Sequence, residues 1–435
     1  MMRHDTPLRK QHLLVVSPAQ GSGSPRFDGV GDAVGDAVAG ALSGAEPRVV
    51  PGVDRPGAAV GTRVAAQVEW LPYGPEEADG QPSCAIVGTY GAVELEYAAI
   101  RRGAALLDAT HRGTIRITGR DRIEFLNRMV TQELKGIGPG ECRQSFWLNR
   151  KGRIAADLLI AELESGMWID LDIHQARSTT DSLGEFLFSE DALIRDESAA
   201  IHRLSLHGPR AFVVLARAAN RTEMTPLAPM QCGTIIVAGV EVVIARQDST
   251  GEIGLELFMP RSGVEAVWEA LCGLADGVGR ALVRPIGWHA FNIARIEAGT
   301  PLFNVDFDTS CLPHETGVLR ERVSFKKGCY LGQEVVARME SLGRPKQILV
   351  GLRITGTGIP VAGQNVHERE GEAIGAPVGT VTSSTASPML GAASIALAMI
   401  RSAHAAIGNE LLVTIEGERV PVVVAPLRFW PAGTP

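Results

Sequence analysis

The pattern of hydrophobic and polar positions predicts both helices and strands from about residue 85 onward. Apolar residues spaced three and four apart predict amphipathic helices over 93–107, 123–134, 264–271 and 286–298. Alternating or continuously apolar runs predict strands over 114–118, 153–163, 167–173, 234–237 and 240–246. Because these elements mix without strict alternation, we expect an α+β fold rather than a wound parallel sheet.

The texture of the sequence changes after Pro345. Short apolar runs separated by Gly and Pro recur at 348–354, 376–381, 411–415 and 420–425. This spacing is typical of a small all-β sandwich or barrel. We therefore predict an α+β region over residues 85–343 and a β domain over residues 345–435.

The first 80 residues differ from the rest in composition. They contain 12 Gly and 8 Pro, a quarter of the segment. That level is typical of low-complexity chain, so residues 1–80 are predicted to be a flexible N-terminal extension.

Charge and cysteine usage narrow the class of protein. The net charge is −7, and Lys and Arg form no block, so neither a nucleic-acid partner nor a membrane partner is expected. The six cysteines include no CxxC pair. We therefore expect reduced thiols, a cytoplasmic location and no metal site.

The segment Lys326-Lys327-Gly328-Cys329-Tyr330-Leu331-Gly332-Gln333-Glu334 carries the sharpest local signal. Two lysines before Cys329 would favour its thiolate, and Tyr330 would supply a flat apolar surface beside it. A cysteine that merely packs in a turn is the structural alternative, and the residues alone leave both interpretations open.

This segment resembles the signature KGCYxGQE of the YgfZ family, folate-binding proteins of iron–sulfur maintenance that are related to the glycine-cleavage T-protein. Similar stretches are RIEAG at 295–299, the LN…KG…DL pattern at 148–158, and the strand and turn at 379–391. The resemblance covers roughly residues 85–430. It implies two interleaved ferredoxin-like subdomains that bind folate, followed by a C-terminal antiparallel β-barrel.

The resemblance also implies a function. A YgfZ-type protein would bind tetrahydrofolate and support the assembly or repair of iron–sulfur enzymes, in transient contact with client or assembly proteins. Cys329 would be its key thiol, and because a [4Fe–4S] cluster takes four thiolates, any cluster would be shared with a partner.

Several candidate site residues follow from the resemblance. Glu133 stands where the T-protein has an aspartate against the reactive nitrogens of tetrahydrofolate, which implies a catalytic and folate-binding carboxylate. Glu252, in a stretch similar to TGExGxE, is the candidate for the pterin edge. The remaining candidates for folate contact are Asn149, Lys327, Tyr330 and Gln333.

Two other functions stay open. A folate-dependent aminomethyltransferase of the T-protein type is favoured by the TGExGxE stretch and disfavoured by Glu133 and the KGCY turn. It is also disfavoured by Phe291 and Asn292, which replace an Arg and an Asp of the T-protein pattern and leave Arg295 with an expected structural role. The third possibility is a scaffold that has lost both ligand and chemistry.

Overall fold

The computed structural model describes residues 5–16, 68–76, 82–356, 358–370 and 373–429. The α-helices are α1 Arg9–Val16, α2 Val93–Arg102, α3 Arg122–Met129, α4 Ile173–Gly184, α5 Ala211–Ala218, α6 Val264–Cys272, α7 Trp288–Glu297, α8 Leu319–Arg322 and α9 Gln333–Leu342. The strands of the α+β region are β1 Glu69–Glu76, β2 Pro82–Thr89, β3 Ala105–Asp108, β4 Arg112–Thr118, β5 Glu141–Leu148, β6 Ile154–Leu163, β7 Gly166–Asp172, β8 Leu193–Asp196, β9 Ile201–His207, β10 Cys232–Val237, β11 Val240–Arg246, β12 Gly254–Pro260 and β13 Arg284–Ile286. Those of the C-terminal part are β14 Gln347–Ile354, β15 Asn365–Glu370, β16 Ala373–Ser387, β17 Ala393–Arg401, β18 Glu410–Ile415 and β19 Glu418–Ala425.

Two large sheets and the two-stranded sheet β1-β2 form the α+β region. Sheet 1 has the order β5-β6-β7-β4-β8, and sheet 2 has the order β10-β11-β12-β9-β3-β13. Strand β3 precedes all of sheet 1 in the chain but belongs to sheet 2, where it pairs with β9 and lies parallel to β13. The two subdomains are therefore interleaved along the sequence.

Each sheet has helices on one face and the other sheet on the opposite face. Helices α3 and α4 bury apolar side chains against sheet 1, and α5 and α6 do the same against sheet 2. The inner faces meet in an apolar layer that includes Leu159 of sheet 1 and Phe258 of sheet 2. The layer between the sheets is therefore largely apolar and contains a few buried polar residues.

The C-terminal strands close into an antiparallel barrel of order β14-β17-β16-β15-β18-β19. The barrel joins the rest of the chain partly through α7, whose Ile296 packs against barrel residues. The Arg295 side chain is fully buried and donates to Asp306 Oδ2 at 2.5 Å and to Ser383 Oγ at 2.5 Å. This agrees with the structural role expected for Arg295, and the α+β class and the C-terminal barrel are both confirmed.

Local boundaries differ from the sequence expectation at α2. The apolar stripe predicted one helix over 93–107, but the helix ends at Arg102, and β3 begins at Ala105. The bond from the Gly103 N–H to the Ala99 carbonyl is the last i→i−4 hydrogen bond of the helix. The next apolar residues pair with β9 instead, which satisfies their backbone groups, and apolar clusters on the two sides of sheet 2 bury their side chains.

Parts of the segment 1–80 adopt regular structure. Most of the predicted extension, residues 17–67, lies outside the described residues. However, Leu8, just before helix α1, and His12, within it, have 0% exposure, and β1 pairs with β2. The Gly and Pro content was averaged over 80 residues, which concealed these two short elements. Within the described residues, no helix is long and apolar enough to cross a membrane.

Candidate functional site

The KGCYLGQE segment forms a turn that leads into α9, with some of its side chains buried and others exposed. The Cys329 side chain is exposed and unpaired with another cysteine. Gly332, with φ of +80°, lies against the turn between β5 and β6, where an added Cβ would stand 2.9 Å from the Asn149 carbonyl oxygen. Only glycine suits both this φ and this close approach, so Gly332 allows the two turns to pack closely against each other.

Lys327 is buried and acts as a cap for the C-terminal end of α3. Its Nζ donates to the carbonyl oxygens of Asn127 at 2.5 Å, Val130 at 2.6 Å and Gln132 at 2.9 Å. Burial lowers the pKa of Lys327 to about 8, and nearby Glu133 acts in the opposite direction. The ammonium group therefore stabilises a helix end, and its donors are engaged with carbonyl groups rather than offered to the thiol.

The other candidates around this turn also have local partners. Tyr330 is buried in an apolar cluster, 5.4 Å from Lys327 Nζ to the ring centroid. Asn149 Oδ1 accepts the N–H groups of Lys151 at 2.9 Å and Arg153 at 3.1 Å. Gln333 is half-buried at the first turn of α9, where its N–H donates to the Tyr330 carbonyl at 3.2 Å.

Glu133 lies beside this turn and is half-buried. Its Oε1 accepts the N–H of Lys135 at 3.1 Å, and its neighbour Gln132 is one of the Lys327 partners. The structure therefore brings Glu133, Lys327 and Asn149 to the same end of sheet 1 as Cys329.

Glu252 lies against helix α2, away from the turn at 326–334. Its side chain is 30% exposed, and Oε1 is 3.3 Å from Arg101 Nη1 on α2. The same arginine binds Glu297 at 2.5 Å, at the end of α7. Among the described residues, no contact joins Glu252 to Glu133 or to the turn at 326–334.

A cluster of four charged side chains lies between the two sheets. Sheet 1 contributes Arg112 and Asp170, and sheet 2 contributes Arg203 and Glu256. Arg203 Nη1 is 2.5 Å from Asp170 Oδ2, and Arg203 Nη2 is 2.5 Å from Glu256 Oε2. Arg112 Nη2 binds Asp170 Oδ2 at 2.6 Å. The two cations and two carboxylates balance in a region from which water is largely excluded.

Burial and pairing act against each other in this cluster. Burial would raise the pKa of Asp170, but Arg112 and Arg203 outweigh it and hold that pKa below its usual value. Burial raises the pKa of Glu256, and Arg203 opposes that rise. Placing four charges between sheets is expensive, and such clusters often mark functional sites.

Polar atoms without partners adjoin the cluster. Both ring nitrogens of His207, Nε of Arg203 and Nδ1 of His111 are buried with no hydrogen-bond partner among the described residues. Burial, with a further contribution from Arg203, lowers the pKa of His207 to about 3, so its imidazole is neutral at physiological pH. Buried donors and acceptors are usually hydrogen-bonded, so these atoms mark a place where water or a polar ligand would bind.

Sequence reasoning missed Glu256. It is the second glutamate of the TGExGxE stretch, whereas the pterin role had been assigned to Glu252. The alternation along β12 carried the signal, because Leu255, Leu257 and Met259 enter the sheet 2 core while Glu256 and Phe258 face the other sheet. A glutamate is rarely buried on the inner face of a sheet, so Glu256 is a candidate site residue.

Comparison with known proteins shows which family this chain belongs to. The profile described as "GCVT N-terminal domain" matches residues 85–327, and that described as "Glycine cleavage T-protein C-terminal barrel domain" matches residues 348–430. The chain belongs to the glycine cleavage T-protein family. A protein of Streptomyces coelicolor named aminomethyltransferase is 32% identical over 345 residues, which cover 78% of this chain and 90% of that protein. One of Geobacillus kaustophilus with the same name is 32% identical over 343 residues, covering 78% and 91%.

A solved structure supports the T-protein fold. The glycine cleavage system aminomethyltransferase T from Bartonella henselae superposes with a TM-score of 0.73 at 24% identity, covering 84% of this chain and 95% of that one. The expected superfamily is thus confirmed. The partners predicted from the YgfZ resemblance, iron–sulfur client and assembly proteins, are wrong, because the T-protein relatives are named aminomethyltransferases. A KGCYLGQE turn is a local similarity, and it does not determine the partner of a whole fold.

Proposed function

We propose that this protein is a tetrahydrofolate-dependent aminomethyltransferase. The observation that supports this most is the extent of similarity, since the chain spans about nine-tenths of relatives that carry this name. The T-protein alternative, rather than the YgfZ interpretation, is therefore the function adopted. The free state of all six cysteines supports a reducing, cytoplasmic location as part of the same proposal.

The central cluster suits the pterin of tetrahydrofolate. A pterin edge presents two N–H donors side by side, which match the two oxygens of a carboxylate. Glu256 offers such a carboxylate at 1% exposure, and Ser205 Oγ donates to its Oε2 and fixes its orientation. We propose Glu256 as the pterin-binding carboxylate in place of Glu252, whose carboxylate pairs with Arg101 at the margin of sheet 2.

When bound, tetrahydrofolate supplies the nitrogen atoms that accept the one-carbon unit. The proposed role of Glu133 is to hold or accept a proton near those nitrogens, as a carboxylate at its position would do. Lys327 supports this role by binding the carbonyl groups of Val130 and Gln132, just before Glu133, and by keeping a positive charge close to Glu133. Asn149, Tyr330 and Gln333 would act by shaping the turns that hold this end of sheet 1.

A second proposal concerns the turn at 326–334 alone. Its YgfZ-like sequence and the exposure of Cys329 favour a thiol that reacts with, or touches, an incoming substrate. The variant Cys329→Ser tests this, with Cys311→Ser as a control because Cys311 is buried. Loss of transfer in Cys329→Ser alone would support a role for the thiol, and full activity would remove it from the mechanism.

The main proposal is tested by binding and by growth. We expect heat on titration of the purified protein with tetrahydrofolate, and restored growth on glycine as nitrogen source in a bacterial strain lacking its own aminomethyltransferase. Glu256→Gln should abolish the binding heat, whereas Glu252→Gln should preserve it. A folded wild-type protein that bound no tetrahydrofolate and restored no growth would refute the proposal.

A further inference from the structure

Arg203 occupies a position that is unusual for a purely structural ion pair. It is the residue through which the charges of sheet 2 reach those of sheet 1, with one amino group on Glu256 and the other on Asp170. Its Nη2 also donates to Ser205 Oγ at 3.1 Å. Its Nε–H, although buried, has no partner among the described residues. This Nε–H is therefore a donor that a bound ligand or water would satisfy.

The idle donor lies on the same face as the proposed pterin carboxylate. Along β9 and β12, Ser205 is opposite Glu256 and His207 is opposite Gly254, so Arg203, Ser205 and His207 share the inner face with Glu256. The unpartnered imidazole of His207 lies farther along this face, where its ring centroid is 5.5 Å from that of Phe291. The Glu256 carboxylate, an acceptor, and the Arg203 Nε–H, a donor, therefore lie next to each other on the inner face of sheet 2.

A 4-oxo pterin has the complementary order of groups along one edge. The 2-amino group and N3–H are donors, and the adjacent C4 oxygen is an acceptor. A 4-amino pteridine reverses the last two, because N3 becomes an acceptor and the 4-substituent becomes a donor. A carboxylate beside an arginine N–H suits the first order and opposes the second.

We infer that Arg203 is a specificity-determining residue that donates to the C4 oxygen of the pterin and positions Glu256 for the two neighbouring N–H groups. This inference rests on the proposed function and extends it to the choice of substrate. Arg203 thereby discriminates between 4-oxo and 4-amino pteridines. By its ion pair it also favours the ionised form of the Glu256 carboxylate and fixes its orientation.

The test compares tetrahydrofolate with tetrahydroaminopterin, which carries an amino group in place of the 4-oxo group. Affinities are measured by calorimetry under reducing, anaerobic conditions on the full chain. We expect the wild-type protein to bind the 4-oxo ligand about 10- to 100-fold more tightly, since a mismatched buried donor or acceptor costs about 1–3 kcal/mol.

Two substitutions at Arg203 keep the test decisive. Arg203→Lys retains the positive charge but loses the Nε–H and the forked guanidinium group. Arg203→Met removes the charge as well as these donors. In each variant we expect the ratio of the two affinities to fall by about tenfold, because one hydrogen bond from a charged donor is lost. Arg116→Met is the matched control, since Arg116 lies over Trp168 in sheet 1 and donates to the Ser165 carbonyl.

The outcomes separate the two ideas. If both Arg203 variants fold and bind both ligands more weakly but keep the wild-type ratio, Arg203 is only a structural link and the inference is wrong. Should Arg203→Met fail to fold, the ratio in Arg203→Lys decides alone. If a folded wild-type protein binds neither ligand, the proposed function itself fails, and the inference fails with it.

Discussion

One buried histidine should contribute much of the free energy that holds helix α1 to the body of the protein. The His12 side chain has 0% exposure and forms hydrogen bonds on both sides of its ring. Nε2 donates to Asp108 Oδ2 at 2.7 Å, and Nδ1 accepts from the Tyr90 hydroxyl at 2.7 Å. The ring also packs edge-on against Trp268, with centroids 5.0 Å apart. His12→Ala removes all three contacts at once.

The cost of His12→Ala follows from these contacts. The hydrogen bond to the Asp108 carboxylate contributes about 1.5–3 kcal/mol, and leaving the buried Tyr90 hydroxyl without an acceptor costs about 1–3 kcal/mol. Asp108 keeps a bond from His202 at 2.6 Å, which limits the loss on that side. We therefore expect the free energy of unfolding to fall by about 3–5 kcal/mol, a large value for one substitution.

Urea unfolding followed by tryptophan fluorescence measures this change. Arg9→Ala is the control on the same helix, because the Arg9 side chain is 62% exposed and its Asp5 contact is 3.4 Å long. An exposed pair of this kind contributes about 0.3–0.5 kcal/mol. If His12→Ala cost less than about 1 kcal/mol, or no more than Arg9→Ala, the buried network would not be what holds α1 in place.

Three further outcomes can be measured on the same protein. Asp306→Asn should lower the free energy of unfolding by about 3–5 kcal/mol because it leaves the Arg295 charge buried without a counter-ion, whereas the exposed Asp308→Asn should change it little. Lys327→Met should cost about 2–3 kcal/mol in the same assay, since three carbonyl groups lose their donor; a loss below 1 kcal/mol would contradict the capping role. Between pH 6.5 and about 3 the unfolded chain protonates His207 and the folded chain does not, so this group makes stability fall with falling pH by at most about 1.4 kcal/mol per pH unit. His207→Gln should flatten the profile there, and an unchanged slope would show that His207 is not buried as a neutral ring.

Much of the fold could be predicted from local patterns. Period-two and period-3.6 repeats indicated the α+β class, and the Gly- and Pro-separated runs indicated the barrel. The stripe at 93–107 misled because Ala105–Asp108 form a strand buried on both faces, which pairs with β9 about a hundred residues away. Local periodicity carries no information about a partner so distant in the chain.

The candidate site was harder to predict for a similar reason. The turn at 326–334 is contiguous, so its residues could be found by motif, and the structure places Cys329 on its surface. The central cluster draws one residue from each of four strands, and no sequence window contains more than one of them. Only the alternation along β12, which turns Glu256 inward, pointed to it.

The division of the cluster between the sheets explains how the fold serves the site. Each sheet contributes one arginine and one carboxylate, so neither subdomain carries a net charge into the layer. The ion pair of Arg203 with Asp170 crosses between the sheets, whereas the other two pairs lie within one sheet. The orientation of Glu256 therefore depends on how the sheets pack, which the apolar layer around Phe258 and Leu159 determines. A ligand that engages Glu256 and Arg203 would favour this packing over others, because binding energy available in only one arrangement stabilises that arrangement.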